Sequence, residues 1–169
     1  MKTNKGFKFI VIGIGLIILI IDQAVKEFIV LRANVGADIM ESLLRIDFVK
    51  NTGAAFGIGS NSTLTFVVIN LVILGIILKF IKSQSESMEK RTFAFLILII
   101  VGGLSNLIDR VCRGYVVDYI DINQIFKFPV FNLADICIVI GCVFMIIVFI
   151  MGARPNKVQE KEKGEIELE

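Results

Sequence analysis

The chain has 169 residues, of which 56% are hydrophobic, and its mean hydropathy is +0.82. This composition excludes an ordinary soluble domain and leaves length for only a few membrane spans. A formal net charge of +2 gives no support for a nucleic-acid partner. Because the chain contains no histidine, Ser-His, Cys-His and His-Glu-zinc mechanisms are excluded, and paired carboxylates become the leading chemistry.

Four apolar stretches approach the roughly 20 residues needed to cross a bilayer. They are Phe7 to Ile21 extending to Leu31, Leu64 to Ile81, Thr92 to Ile108, and Phe131 to Met151. The sequence therefore predicts an all-α polytopic membrane protein with four transmembrane helices. Residues 1–153 are expected to form a single membrane domain, and the charged residues 154–169 are expected to form a disordered cytoplasmic tail.

The basic residues indicate how the chain is oriented. Lysines and arginines precede the first span, border the loop between the second and third spans, and follow the fourth span. By the positive-inside rule, both termini are expected to be cytoplasmic, and the polar segments from Leu31 to Thr63 and from Asp109 to Val130 to lie outside. Apolar and charged residues alternate from Leu44 to Phe48, which predicts a small extracytoplasmic β-sheet within this outer loop region.

Polar residues near the outer ends of the first and third spans are candidates for a site. Asp22 and Lys26 lie four positions apart and are expected to form an intrahelical pair in which Lys26 simply neutralises charge. The Gly102-Gly103 pair predicts close helix packing. Asn106 and Arg110 share one helix face, where they either orient catalytic groups, bind a polar headgroup, or complete the helix end.

Two aspartates flank the start of the last apolar run. Asp118 follows Val117 in an extended segment, and Asp135 lies at the beginning of the fourth span. Acidic side chains near membrane depth are costly and are functional candidates by default. If the two carboxylates share a water molecule, repulsion raises the pKa of one of them, which makes it an acid while the other acts as a base.

Each aspartate also has a structural interpretation. Asn132 can cap the fourth helix, which would place Asp135 at a position where a carboxylate suits the positive helix end. An exposed strand face would tolerate Asp118. Asp121 competes with Asp118, because the odd spacing puts the two on opposite faces of a strand and only one should face Asp135.

Five motifs in chain order carry a resemblance to a known family. They are Asp22-Gln23, Asn51-Thr52-Gly53-Ala54-Ala55-Phe56, Asn106-Leu107-Ile108-Asp109-Arg110, Gly114-Tyr115-Val116-Val117-Asp118 and Phe131-Asn132-Leu133-Ala134-Asp135. Together they closely resemble lipoprotein signal peptidase, also called signal peptidase II. The resemblance implies a bacterial aspartic endopeptidase of the cytoplasmic membrane that removes signal peptides from diacylglyceryl-modified prolipoproteins, cutting just before the lipid-modified cysteine.

The resemblance also assigns roles to residues. It implies that Asp118 and Asp135 are the catalytic pair, which decides against Asp121. The positions implied to support the pair or the substrate are Asp22, Asn51, Asn106, Asp109, Arg110 and Asn132. The implied partners are prolipoproteins and membrane lipid, with no metal and no cofactor.

Two other functions remain compatible with the residues alone. A carboxylate-dependent ion or proton-coupled transporter would also use intramembrane carboxylates, and a membrane scaffold would use the aspartates only as helix caps. The three cysteines, Cys112, Cys137 and Cys142, lack Cys-x-x-Cys spacing and are expected to be small core residues rather than metal ligands.

Overall fold

The computed structural model describes residues 2–33, 45–53, 63–123, 125 and 127–152. The predicted domain boundary at residue 153 and the predicted tail at 154–169 lie outside this set, and so do positions 54–56 of the second motif. Predictions for these positions therefore stay predictions.

Four helices dominate the chain, as the apolar runs predict. They are α1 (Lys5–Ala33), α2 (Thr63–Ser83), α3 (Lys90–Arg113) and α4 (Leu133–Gly152). Each is long and apolar enough to cross a membrane, which confirms the four-span prediction. The third helix continues well beyond the predicted run, through Asp109 to Arg113, because its polar side chains find partners on neighbouring elements.

Helix α3 is the centre of the bundle and packs against the other three helices. Its glycines permit this close packing: a Cβ atom at Gly102 would lie 2.3 Å from the carbonyl oxygen of Ala134, and one at Gly103 would lie 3.1 Å from Oδ1 of Asn70. The Nδ2 group of Asn70 also donates to the carbonyl oxygen of Gly103 at 2.9 Å. The packing role predicted for the two glycines is therefore confirmed.

A two-stranded antiparallel sheet lies at one end of the bundle. Strand β1 (Arg45–Asn51) pairs with β2 (Val116–Asp121), and Val49 lies opposite Asp118 in the register. The sheet contacts α1 and α3, so it fixes β2 over the ends of these helices. The predicted strand and the small sheet are confirmed.

The opposite end of the bundle joins the start of α1 to the connection between α2 and α3. Nζ of Lys8 donates to the carbonyl oxygen of Ser85 at 2.7 Å.

Among the cysteines, only Cys137 is buried, whereas Cys112 and Cys142 are exposed. The expectation of three core cysteines is wrong for the latter two because their positions lie on outward-facing sides of α3 and α4.

Candidate active site

Asp118 lies in the middle of β2 and is 2% exposed. Its Oδ1 accepts a hydrogen bond from Nδ2 of Asn132 at 2.7 Å, and its Oδ2 accepts one from Nδ2 of Asn51 at 2.9 Å. Asp121, on the opposite face of the strand, instead accepts bonds from Asn123 in an exposed turn. The structure therefore turns Asp118, and not Asp121, toward the start of α4.

Asp135 lies in the first turn of α4, where it forms a capping box with Asn132. Oδ1 of Asn132 accepts a bond from the backbone N–H of Asp135 at 2.9 Å, and Oδ2 of Asp135 accepts one from the backbone N–H of Asn132 at 3.2 Å. The other carboxylate oxygen of Asp135 accepts a bond from Nδ2 of Asn106 at 2.7 Å. The predicted cap is therefore present, and it occupies only one of the two oxygens.

Asn132 connects the two carboxylates. Its side-chain oxygen binds the backbone of Asp135, while its Nδ2 group donates to Asp118 and, at 3.2 Å, to Oδ1 of Asn106. The residue is fully buried. One amide side chain thus holds both aspartates in a fixed relation to α3 and β2.

The environment of Asp118 favours its protonated form. Burial and the neighbouring carboxylate of Asp135 raise the pKa of Asp118 to about 7, although the donors Asn51 and Asn132 and the charge of Lys26 act in the opposite direction. Asp118 is therefore protonated over a wider pH range than an ordinary aspartate. A carboxylic acid beside a second carboxylate is the combination that acid-base catalysis requires.

The two aspartates lie at the polar end of a cavity of about 960 Å³. Apolar side chains of α2 and α4 form much of its wall, among them Phe66, Ile69, Ile73, Val139 and Ile140. The polar end contains the two aspartates together with Asn51, Asn106 and Arg110. The cavity therefore suits a molecule that combines a hydrocarbon part with a peptide.

Arg110 secures the turn that follows β1. Its NH2 group donates to the carbonyl oxygen of Gly53 at 3.0 Å, and its guanidinium lies 5.4 Å from the ring centre of Phe66. Oδ1 of Asn51 accepts a bond from the backbone N–H of Gly53 at 3.0 Å, so the Asn51 NH2 group is directed to Asp118. Of the roles left open for Arg110, this geometry favours an orienting role toward Asn51 and Asp118.

Lys26 has more partners than the sequence predicts. The predicted pair with Asp22 is present at 2.9 Å, but Nζ of Lys26 also reaches Oδ2 of Asp109 at 3.1 Å and Oδ1 of Asn106 at 3.0 Å. The side chain is fully buried. A lysine within a predicted membrane span was the available signal, because such a charge needs partners on other helices.

Three further residues at this end of the bundle were also missed as parts of the site. Tyr119 donates from its hydroxyl to Oδ1 of Asp22 at 3.2 Å, and burial together with the Asp22 charge raises the pKa of Tyr119, so this phenol stays neutral. Ser105 donates from Oγ to Asp22, and Gln23 donates to Oγ of Ser105 at 2.7 Å. Their positions follow from helix and strand packing rather than from local sequence.

A protein-family comparison decides the class of the chain. The family model described as signal peptidase (SPase) II matches residues 14–151. The chain belongs to the signal peptidase II family. It is therefore an aspartic peptidase with several membrane spans, as expected, and the transport alternative has no support from the comparisons.

Relatives and solved structures agree with this membership of the signal peptidase II family. A lipoprotein signal peptidase of Halothermothrix orenii is 38% identical over 78% of this chain and 89% of its own length. One of Staphylococcus haemolyticus is 36% identical over 91% of this chain and 99% of its own. A bacterial membrane enzyme solved by the in meso method at 2.3 Å superposes with a TM-score of 0.75 at 28% identity, covering 92% of this chain and 96% of that one.

Proposed function

We propose that this signal peptidase II family member removes signal peptides from diacylglyceryl-modified prolipoproteins, cutting just before the lipid-modified cysteine, with Asp118 and Asp135 as its catalytic residues. The observation that carries the proposal is a pair of carboxylates at the polar end of an apolar cavity, each of which accepts a hydrogen bond from an amide side chain. The names of the relatives supply the kind of substrate.

In the proposed mechanism, Asp135 is the base and Asp118 is the acid. Asp135 takes a proton from a water molecule as the water oxygen attacks the scissile carbonyl carbon, and Asp118 gives its proton to the carbonyl oxygen. The tetrahedral intermediate then returns this proton to Asp118 and expels the amine, which receives the proton held by Asp135. The raised pKa of Asp118 supports this division of roles.

The surrounding polar residues would fix the pair during this proton exchange. Three amides donate hydrogen bonds to the two carboxylates, from the side chains of Asn51, Asn106 and Asn132. Asp22 and Asp109 would act one step further away by holding Lys26. Arg110 would hold the turn that orients Asn51.

The shape of the cavity supports a lipidated substrate. Helices α2 and α4 both pack on α3, and side chains of all three helices line the apolar cavity. Acyl chains would lie against these apolar walls in contact with membrane lipid, and the scissile bond would reach the aspartates at the helix ends. Water needed for hydrolysis is more available there than at the centre of the bilayer.

The proposed orientation has cytoplasmic termini and an active site on the outer side of the cytoplasmic membrane. Exposed basic residues lie at the end of the bundle opposite the sheet, namely Lys2, Lys5, Lys82 and Arg91. The sheet end also carries basic residues: Lys26, Arg110 and Arg113 bind partners within the protein, whereas Arg32, Lys50 and Lys127 are exposed.

Labelling single cysteines in intact cells tests this orientation. In a cysteine-free variant, Asn123→Cys should react with a membrane-impermeant thiol reagent, whereas Ser85→Cys should react only after permeabilisation. The reverse pattern would contradict the proposed orientation while leaving the proposed chemistry intact.

Lipid dependence tests the substrate. The purified protein should cleave a prolipoprotein peptide carrying a diacylglyceryl group on its cysteine and release a product that begins with that cysteine, as read by mass spectrometry. A matched peptide without the lipid should be cleaved at a rate at least about tenfold lower, because it lacks the acyl chains whose transfer from water into the detergent micelle of the enzyme contributes about 0.8 kcal/mol for each CH₂ group. Equal cleavage of both peptides would contradict the proposed substrate.

A further inference from the structure

We propose that Lys26 is a positioning residue for hydrolysis, which acts through the side chain of Asn106 to keep Asp135 a hydrogen-bond acceptor. Nζ of Lys26 donates to Oδ1 of Asn106 at 3.0 Å, and Nδ2 of the same amide donates to Oδ1 of Asp135 at 2.7 Å. The inference rests on the proposed catalytic pair and extends it to a buried cation on α1.

Lys26 determines the orientation of the Asn106 amide. An asparagine can present either its oxygen or its NH2 group to a neighbour, whereas a lysine ammonium can only donate. Lys26 therefore requires the oxygen of Asn106 on its own side and leaves the NH2 group for Asp135. The reversed amide would place its NH2 group against the ammonium and its oxygen against the Asp135 carboxylate, so both contacts would become repulsive.

Within the described part of the chain, no other contact of Asn106 fixes this orientation as firmly. Nδ2 of Asn132 also donates to Oδ1 of Asn106, at 3.2 Å, but the same group lies 2.7 Å from Asp118 and 3.3 Å from the carbonyl oxygen of Val117. This neutral NH2 group restrains the amide less than the buried ammonium at 3.0 Å, because a hydrogen bond from a charged donor is stronger than one from a neutral donor.

The position of the ammonium is itself fixed from several elements. Asp22 faces it from α1 at 2.9 Å and Asp109 faces it from α3 at 3.1 Å, while Oγ of Ser105 lies at 3.4 Å. Tyr119 of β2 donates to Asp22 and adds no charge. Beyond these contacts lie the two proposed catalytic carboxylates and two further cations. Arg113 lies 3.4 Å from Asp109, and the charge of Arg110 interacts with both carboxylates of the pair and with Asp109.

Lys26 should therefore influence which carboxylate holds the shared proton. A cation near Asp135 favours its ionised form, and the NH2 group of Asn106 favours the same form by donating to it. Removing the cation makes ionisation of Asp135 harder, so the acidic limb of the activity profile should move to higher pH by about one unit. Lys26 is fully buried and does not line the cavity that would hold the substrate, so KM should change little.

Cleavage by Lys26→Met, measured from pH 4 to 9 in detergent with the lipidated peptide, tests the proposal. We expect kcat to fall about 100-fold, KM to stay within about threefold, and the acidic limb to shift upward. Lys5→Met is the matched control, because Lys5 is an exposed lysine of the same helix, and its kcat should stay within about twofold of the wild-type value. A purely structural role would lower the amount of folded enzyme without moving the pH limb.

A double-mutant cycle tests the route through Asn106. If Lys26 acts through that amide, combining Lys26→Met with Asn106→Leu should lower kcat no further than the more damaging single change. Multiplication of the two losses, or an unshifted pH limb in Lys26→Met, would overturn the proposal.

One further variant guards against misfolding. If Lys26→Met leaves too little folded protein, Lys26→Met/Asp22→Asn keeps the net charge of the cluster, and Asp109 retains the backbone N–H of Val117 as a donor. It should still lose about 100-fold in kcat, and wild-type activity would overturn the inference.

Asp118→Asn and Asp135→Asn distinguish the proposed catalytic pair from the proposed role of Lys26. Active forms of these variants would refute the catalytic pair, whereas inactive forms beside a fully active Lys26→Met would refute only the role of Lys26.

Discussion

Replacing Asn132 by serine and by alanine separates the stability of the fold from the chemistry of the site. Asn132 caps α4 through Oδ1 and bridges to Asp118 through Nδ2. Serine can accept the same bond from the backbone N–H of Asp135, so Asn132→Ser keeps a cap and loses the bridge. Alanine loses both.

The expected magnitudes follow from these contacts. Loss of the cap costs about 1 kcal/mol, so Asn132→Ala should be less stable than Asn132→Ser by about that amount. A hydrogen bond to a charged group contributes about 1.5–3 kcal/mol. If this contribution is expressed in the transition state, both variants should lose about 10- to 150-fold in kcat, since 1.36 kcal/mol corresponds to a factor of ten.

Two measurements on the same preparations test this reasoning. Thermal unfolding in detergent compares the free energies of unfolding, and cleavage of the lipidated peptide gives kcat for the folded fraction. A wild-type kcat in Asn132→Ser would refute the bridging role of Asn132. So would a kcat ratio between Asn132→Ser and Asn132→Ala that, converted to a free energy, equals the difference in their free energies of unfolding.

Three other predictions concern pH, helix packing and the buried polar cluster. Folding raises the pKa of Asp118 to about 7, so the free energy of unfolding should be constant below about pH 4 and fall by about 4 kcal/mol in total as the pH rises to 7. Above pH 7, this contribution should level off. Unfolding of Asp118→Asn across the same range should lack that decline. Gly102→Ala would place a Cβ atom 2.3 Å from the carbonyl oxygen of Ala134 and should destabilise the fold by about 1–3 kcal/mol in thermal unfolding. Gly75→Ala has open space and should be neutral or stabilising, so equal losses in both would contradict the packing argument. Tyr119→Phe removes the hydroxyl that joins Asp22 to the backbone N–H of Leu133 and should cost about 1–3 kcal/mol, measured in the same way, and an unchanged melting temperature would argue against that contact.

Much of the architecture can be predicted from local sequence. Apolar runs identify the four helices, and strand alternation separates Asp118 from Asp121 once the strand is assigned. The cap at Asn132 follows from the residue types before α4. In each of these cases, the governing interaction lies within a few residues along the chain.

The local rules fail where one side chain has two partners. They present capping and chemistry as alternatives for Asp135, yet its two oxygens bind Asn132 and Asn106 separately. They also cannot join Lys26 to Asp109, because that contact depends on how α1 rotates against α3. Sequence proximity shows the pair with Asp22 and conceals the interhelical one.

The most direct test of the account is cleavage of a diacylglyceryl-modified prolipoprotein peptide by purified wild type, Asp118→Asn, Asp135→Asn and Asp121→Asn, with and without a chelator. We expect chelator-resistant cleavage that disappears in Asp118→Asn and Asp135→Asn and persists in Asp121→Asn, whose side chain binds an exposed turn. Substantial cleavage by either of the first two variants, as folded protein, would contradict the assignment of the catalytic pair.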